Sequence, residues 1–433
     1  MFEVKEKPRQ VENALLIGIQ RTHMEPGDGE NLLDELTELV ETLDIEVGGR
    51  RVIPLRQPNP HYLIGKGKAV EIIEEVKARK IELIVFDDDL SPAQQRNWEN
   101  ESGVCVIDRQ EIILDIFMKR ATTREAKLQV TLAQLNYSLP RLKRAWTHLS
   151  RQHGGGTLMR GQGETQLEAD RRMVQDRIAR VRRDLATVIK QRGIQRQKRL
   201  KKPVPTAAIV GYTNAGKSSL LNAITGASVA AEDKLFATLD PTTRQCQLAT
   251  GQKLLLSDTV GFLRRLPHNL VDAFHATLEE AVLSDFLVHV LDLSNPEVEQ
   301  HHGTTMEVLN SLGAHEKRII TVFNKVDRCA NGDFRLNALR LQAPNACFVS
   351  ARSGLGIEEL LEKCAAMVSD DIVEISLLIP HDRYDVINKL HQLDCIQLKE
   401  VEAEGVFLQC LLPVQIRNQM KEFEYHREPA VAV

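Results

Sequence analysis

Two periods of apolar residues alternate along the first 120 positions. Residues 15–19, 81–86 and 104–107 are apolar runs of strand length, while Leu32, Leu33, Leu36, Val40 and Leu43 share one helical face. Residues 69–78 and 93–100 have helical spacing, and 52–55 and 62–64 form short extended pieces around Pro54, Pro58 and Pro60. Repeated strand–helix units of this kind predict an α/β domain with a mostly parallel sheet. Residues 112–139 turn helical, with Leu128, Leu132, Leu135 and Leu139 at 4-3-4 spacing before Pro140. A second seam, Leu167, Val174, Ile178, Val181, Leu185 and Val188, follows a stretch holding five glycines (residues 151–165). Two heptad-like seams joined by glycine predict an antiparallel helical hairpin within one chain, and hence a monomer. Alternation of strands and helices resumes after residue 203, and a small α+β unit closes the chain, with strands expected at 374–380, 396–401 and 405–412 and helices at 382–392 and 414–423. The domains predicted are 1–120 (N-terminal α/β), 121–202 (basic hairpin), 203–369 (nucleotide domain) and 370–433 (α+β).

Charge adds a partner to this outline. Between Arg141 and Lys202 lie 18 Lys and Arg against 5 Asp and Glu, so the rest of a chain of net charge -4 carries -17. So basic a block between acidic domains points to a polyanion. The aromatic content of 4% argues against a base-stacking platform. In the glycine stretch Arg151, His153, Gly154, Gly155, Gly156, Thr157 and Arg160 set polar groups on pliable backbone, which suits an irregular RNA surface and gives no sign of DNA readout. Seven scattered cysteines without C-x-x-C spacing read as reduced core residues. With no signal-peptide pattern and no transmembrane segment, a soluble cytoplasmic protein is expected.

The chemistry begins at residue 206. An apolar strand, 207–210, runs into Gly211-Tyr212-Thr213-Asn214-Ala215-Gly216-Lys217-Ser218 and then into a helix carrying Leu220, Leu221 and Ile224 inward. This is a P-loop in its proper context: backbone N–H groups cradle phosphate, Lys217 reaches the β- and γ-phosphates, and Ser218 ligates Mg²⁺. The strand 253–256 ends in Asp258-Thr259-Val260-Gly261, where an Asp holds Mg²⁺ through water and a Gly N–H senses the γ-phosphate. The strand 286–291 carries no ligand. The strand 319–323 ends in Asn324-Lys325-Val326-Asp327, the guanine-reading pattern, and Ser350-Ala351-Arg352 follows as the loop that contacts the guanine carbonyl. The Asp327 carboxylate takes two N–H bonds that adenine cannot offer, so GTP is preferred over ATP. Between these lies Phe236-Ala237-Thr238-Leu239-Asp240, in which Thr238 is assigned to Mg²⁺ and the γ-phosphate, with Thr242 and Thr243 as competitors or turn residues. The candidate catalytic set is therefore Lys217, Thr238, Gly261 and Asn214. Phe262 stands where many GTPases place a water-orienting glutamine, so intrinsic hydrolysis should be slow. Asn214 matches the asparagine of GTPases that employ K⁺. Two weaker features read as ordinary: Gly65-Lys66-Gly67-Lys68 as a turn before a helix rather than a second nucleotide site, and Asp87, Asp88 and Asp89 as loop and N-cap residues before Ser91-Pro92.

Taken together, YLIGKGK, the run from IDRQEIILDIFMKR to LAQLNY, GGGTLMRGQGETQLEADRR, GYTNAGKSSLLN, FATLDPTTR, DTVGF, NKVD and SAR resemble the bacterial GTPase HflX family over nearly the whole chain. The resemblance implies a cytoplasmic GTPase that binds the large (50S) ribosomal subunit and splits or rescues stalled 70S ribosomes under stress, with the glycine tip reaching ribosomal RNA. A GTP-timed ribosome-assembly factor and an ATP-driven RNA-remodelling enzyme are the alternatives.

Overall fold

In a computed structural model of the chain, residues 12–142, 166–199, 204–226, 235–248, 251–265, 280–314, 316–329, 339–341, 343–369, 372–392, 395–413, 417 and 420–425 are described. They fall into two compact units. One holds the described residues up to Ile189 together with 235–240 and 263–265, and the other holds the remainder.

The first unit is built on strands β1 (Asn13–Arg21), β2 (Glu46–Leu55), β3 (Leu83–Phe86) and β4 (Cys105–Asp108), with helices α1 (Asp28–Thr42), α2 (Lys66–Arg79) and α3 (Pro92–Ser102) between them. All neighbours pair in parallel, in the order β2-β1-β3-β4. The apolar runs become β1, β3 and β4 because strands covered on both faces need continuous hydrophobicity. Strand β2 is twice the length its apolar residues suggest: its Gly48, Gly49, Arg50 and Arg51 pair with β1 all the same. The stretch 62–64 adds no strand to the sheet; Leu63 and Asn59 form an isolated bridge instead. Trp98 seals the core with no exposure, its indole N–H donating to the Tyr62 carbonyl at 2.9 Å beneath the Phe86 ring. Burying a side chain of this size contributes about 2–3 kcal/mol.

The helical span expected over 112–139 is two helices, α4 (Arg109–Arg120) and α5 (Arg124–Ser138). Ala121 turns extended, and the Thr123 hydroxyl accepts from the Ala126 N–H, so a second N-cap interrupts the run. Helix α6 (Gln166–Arg199) follows at 34 residues, about 50 Å of helix. Ile178 and Val181 of its seam are buried, whereas Arg171, Arg172, Arg177, Arg180, Arg182 and Arg183 are exposed. The glycine tip, with all seven RNA-contact candidates from Arg151 to Arg160, lies outside the described residues.

The second unit carries a six-stranded sheet in the order β10-β9-β8-β5-β7-β6. Its strands are β5 (Thr206–Gly211), β6 (Thr242–Gln247), β7 (Lys253–Asp258), β8 (Phe286–Asp292), β9 (Arg318–Asn324) and β10 (Cys347–Phe348), with helices α7 (Lys217–Thr225), α8 (Val298–Ser311) and α9 (Ile357–Ser369). Every pairing is parallel except β6 with β7. Strand β6 went unanticipated because TTRQCQ is polar, as an edge strand can be. Thr242 and Thr243 are thus strand residues rather than turn residues, the Thr243 hydroxyl lying 2.8 Å from that of Ser257. Beyond lie β11 (Ile372–Ile379), α10 (Tyr384–Gln392), β12 (Ile396–Val401) and β13 (Val406–Pro413), the strands antiparallel in the order β11-β13-β12. Of the closing helix expected at 414–423, a 3₁₀ turn at Lys421–Phe423 is described, and much of the rest is not. Among the described residues, no helix is long and apolar enough to cross a membrane.

Candidate nucleotide site

The strand ends of the six-stranded sheet carry the expected motifs, and hydrogen bonds join them. Gly211 and Gly216 both have positive φ (149° and 89°). A Cβ on Gly211 would lie 2.2 Å from the Val290 carbonyl oxygen, and one on Gly216 would lie 2.3 Å from the Asn324 side-chain nitrogen. Neither position tolerates a side chain. Between them Asn214 is left-handed (φ 58°), a conformation asparagine accepts more readily than most residues. Helix α7 then aims its first N–H groups back at the loop, an anion cradle by construction.

Lys217 is buried, and its ammonium donates to the carbonyls of Gly211 at 3.1 Å and Tyr212 at 2.8 Å. Burial pushes its pKa down to about 8, with nearby Asp258 opposing that shift. The Ser218 hydroxyl donates to the Asp258 carboxylate at 2.6 Å. Two Mg²⁺-side candidates are therefore in direct contact, a hydroxyl and a buried carboxylate of the kind a hard cation takes. Thr213, also buried, keeps a hydroxyl oxygen with no partner among the described residues. Gly261 packs so closely that a Cβ there would fall 2.7 Å from Thr213 and 3.0 Å from the Lys217 ammonium. These features fit a triphosphate with Mg²⁺: glycine cradles, a desolvated lysine and a hydroxyl–carboxylate pair.

Phe262 is fully buried. Its N–H donates to the Gly211 carbonyl at 3.1 Å and its carbonyl accepts from the Thr213 N–H at 2.8 Å, zipping the chain after Asp258 onto the P-loop. In its buried place the side chain is core rather than a water-orienting group. Val260 and Thr259 are buried alongside, the Thr259 hydroxyl donating to the Ile209 carbonyl at 2.7 Å.

The base-reading loop is braced against the phosphate loop. The Asn324 amide donates to the Ala215 carbonyl at 2.9 Å and accepts from the Ala351 N–H at 3.1 Å, tying three motifs together through one buried side chain. Lys325, left-handed at φ 64°, donates to the Asn214 carbonyl at 2.7 Å and pairs with Asp292 at 2.7 Å. Asp292 was missed: strand β8 does supply a charged partner, and the only clue was an acidic residue one place beyond the apolar run. Asp327 is exposed, with one oxygen held by the Ser350 hydroxyl at 2.6 Å. Its selectivity therefore arises once a base covers it. Val326 donates to the Val349 carbonyl at 3.2 Å, and Arg352 is exposed. His301 also escaped notice; its ring stacks on Tyr212 of the P-loop at 3.7 Å.

Residues 235–240 belong to the first unit. Leu235, Phe236 and Leu239 are buried, and Phe236, at φ 54°, meets Phe117 of α4 edge-on at 4.6 Å. The Asp240 carboxylate accepts from the backbone N–H groups and hydroxyls of both Thr122 and Thr123. Burial alone would raise its pKa, but these bonds prevail and hold it below the ordinary carboxylate value. Ala237 and Thr238 are half-buried between these anchors.

Elsewhere in the first unit, Ser91 caps α3 in a capping box with Gln94. The aspartates before it are not caps, since Asp87 pairs with Arg109 at 2.7 Å and Asp88 with Arg21 at 2.5 Å. Gly65 is the N-cap of α2, so GKGK begins a helix, as expected.

A parallel sheet with phosphate, Mg²⁺ and guanine motifs on adjoining strand ends defines a P-loop GTPase. Residues 206–325 match the family described as 50S ribosome-binding GTPase, 30–118 the GTP-binding GTPase N-terminal family and 120–199 its middle region. GTPase HflX of Akkermansia muciniphila is 47% identical, with 98% of this chain and 99% of that protein covered. GTPase HflX of Escherichia coli K12 is 44% identical, with 87% of each covered. A solved GTP-binding protein of the archaeon Sulfolobus solfataricus, in complex with GDP, is 25% identical over 83% of this chain and 99% of that one, at a TM-score of 0.44. The chain belongs to the HflX family of GTPases and is a GTP-hydrolysing enzyme.

Proposed function

We propose that this GTPase is a nucleotide-timed switch that binds the 50S ribosomal subunit and splits or rescues stalled 70S ribosomes under stress such as heat shock. The observation that carries this reading is the match of residues 206–325 to a family described as 50S ribosome-binding. The exposed arginines of α6 supply the electrostatic counterpart for ribosomal RNA. The RNA contacts assigned to Arg151, His153, Gly154, Gly155, Gly156, Thr157 and Arg160 belong to this proposal.

At the site, Lys217 balances the β- and γ-phosphates, and the P-loop N–H groups orient them. Mg²⁺, held by Ser218 and Thr238 and by Asp258 through water, would spread the charge of the transferring phosphoryl group. Gly261 offers its N–H to the γ-phosphate, and residues 236–244 order around it, favouring the ribosome-bound form; hydrolysis releases both segments. Phe262 cannot orient water, so catalysis is completed from outside, by the ribosome, with K⁺ beside Asn214 in place of an arginine finger.

The test is GTP hydrolysis with and without purified large subunits, in K⁺ and then in Na⁺. Stimulation of about tenfold or more, equivalent to about 1.4 kcal/mol of transition-state stabilisation, is expected in K⁺. Fast hydrolysis by the free protein, unchanged by subunits, would refute the ribosomal trigger, and equal rates in Na⁺ would remove K⁺. Dissociation of 70S particles on adding protein and GTP separates splitting from an assembly role. Loss of RNA-linked activity together with guanine preference in Asp327→Asn would exclude an ATP-driven remodelling enzyme.

A further inference from the structure

The parallel sheet of the first unit reverses strand order between β1 and β3, and open α/β sheets take ligands outside the strand carboxyl ends at such a reversal. A cavity of about 260 Å³ lies there, lined by Arg21 and His23 at the end of β1, the three aspartates after β3, Arg109 after β4, and Arg265. Its size suits a small molecule. The cations on its wall are already committed. Arg109 and Arg265 approach the two oxygens of Asp87 at 2.7 and 3.2 Å, and Arg21 takes one oxygen of Asp88 at 2.5 Å. What remains is acceptor capacity. Asp88 is only 8% exposed, and its Oδ2 has no hydrogen-bond partner among the described residues. Asp89 adds an exposed carboxylate at the same wall. An anion entering here would face these carboxylates while finding each arginine occupied. Nor do the described residues include a group of three or more side chains able to hold a metal ion. A buried acceptor of this kind calls for a charge-assisted N–H donor.

We propose that this cavity is a second ligand site, for a small organic cation bearing N–H donors, an alkylammonium or guanidinium group that donates to Asp88 Oδ2 with Asp89 beside it. The site is separate from the nucleotide chemistry and needs no reaction step.

Titration of the full-length, nucleic-acid-free protein with putrescine and with agmatine, followed by calorimetry, tests it. Tetramethylammonium, a cation without N–H donors, is the control. One-to-one saturable binding of putrescine or agmatine is expected, with none of tetramethylammonium. Asp88→Asn should weaken that binding about tenfold or more, as removal of one charge-assisted bond implies, and leave GTP affinity unchanged. Absence of saturable binding, or an equal response to tetramethylammonium, overturns the proposal. So does full affinity in Asp88→Asn. If that variant unfolds, Asp89→Asn decides: unchanged affinity there is equally fatal.

Discussion

His289 shows how a single side chain can fix the pH behaviour of a sheet. It lies on β8 beside Val210 of the P-loop strand, fully buried, and neither ring nitrogen has a hydrogen-bond partner among the described residues. Burial, helped by His302 and Lys217, pushes its pKa down to about 3. The unfolded chain binds its proton near pH 6.5, whereas the folded chain refuses it until far lower. Stability is therefore fully present above pH 6.5 and is lost as pH falls towards 3, by about 1.4 kcal/mol per unit. Thermal melts between pH 7 and 5 should fall steeply for the wild type and less steeply for His289→Met; parallel curves would contradict this assignment. Lys217 makes the complementary case. Its free pKa of about 8 must rise when phosphate arrives, so nucleotide binding takes up a proton above that pH. GTP affinity should decline from pH 8 to 9, with proton uptake visible when calorimetry is repeated in buffers of different ionisation heat. Lys217 was legible from sequence because G-x-x-x-x-G-K-S fixes its environment locally. His289 was not: within FLVHVLD nothing marks a histidine as buried among partners far along the chain.

Among elements, the segment 235–240 is held by side chains more than a hundred positions away. Asp240 accepts from Thr122 and Thr123 at the N-terminus of α5, and Phe236 sits in a backbone conformation that costs a bulky residue about 1–3 kcal/mol. Such strain persists only where neighbours enforce it, here Phe117. Asp240→Ala should free the segment, raising proteolytic cleavage near residue 240 and speeding exchange of a fluorescent guanine nucleotide by several-fold, with a smaller loss of global stability of about 1–3 kcal/mol. Unchanged cleavage and exchange would mean that the carboxylate is not what holds the segment. The sequence marked these residues as a switch through F-x-T-L-x-P but was silent on their anchor, because contact between positions 118 apart leaves no periodicity to read. The same limit hid the break between α4 and α5, where apolar spacing continued across an N-cap. Core strands such as β5, β8 and β9 were plain, since burial on both faces writes itself as uninterrupted Val, Ile and Leu.

For the molecule as a whole, charge is segregated: the exposed arginines of α6 fall in a block of surplus 13 within a net acidic chain. If that block meets ribosomal RNA, affinity for the large subunit must fall linearly with log salt. Replacing Arg171, Arg172 and Arg177 by Gln should then flatten the slope by about two to three units, at roughly 0.7–0.9 for each phosphate no longer neutralised. Intrinsic GTP hydrolysis should be unaltered, and a slope unchanged by the three substitutions would place the RNA elsewhere.

The buried amide of Asn324 touches the phosphate loop on one side and the Ala351 backbone on the other. Guanosine and pyrophosphate offered separately would each have to stiffen the same shared scaffold, and each would meet that ordering cost alone. Joined in one molecule they meet it once. Fragments of the nucleotide should therefore bind far more weakly than their parts suggest, and no inhibitor that mimics only the base or only the phosphates will inherit its proportionate share of the affinity of GTP.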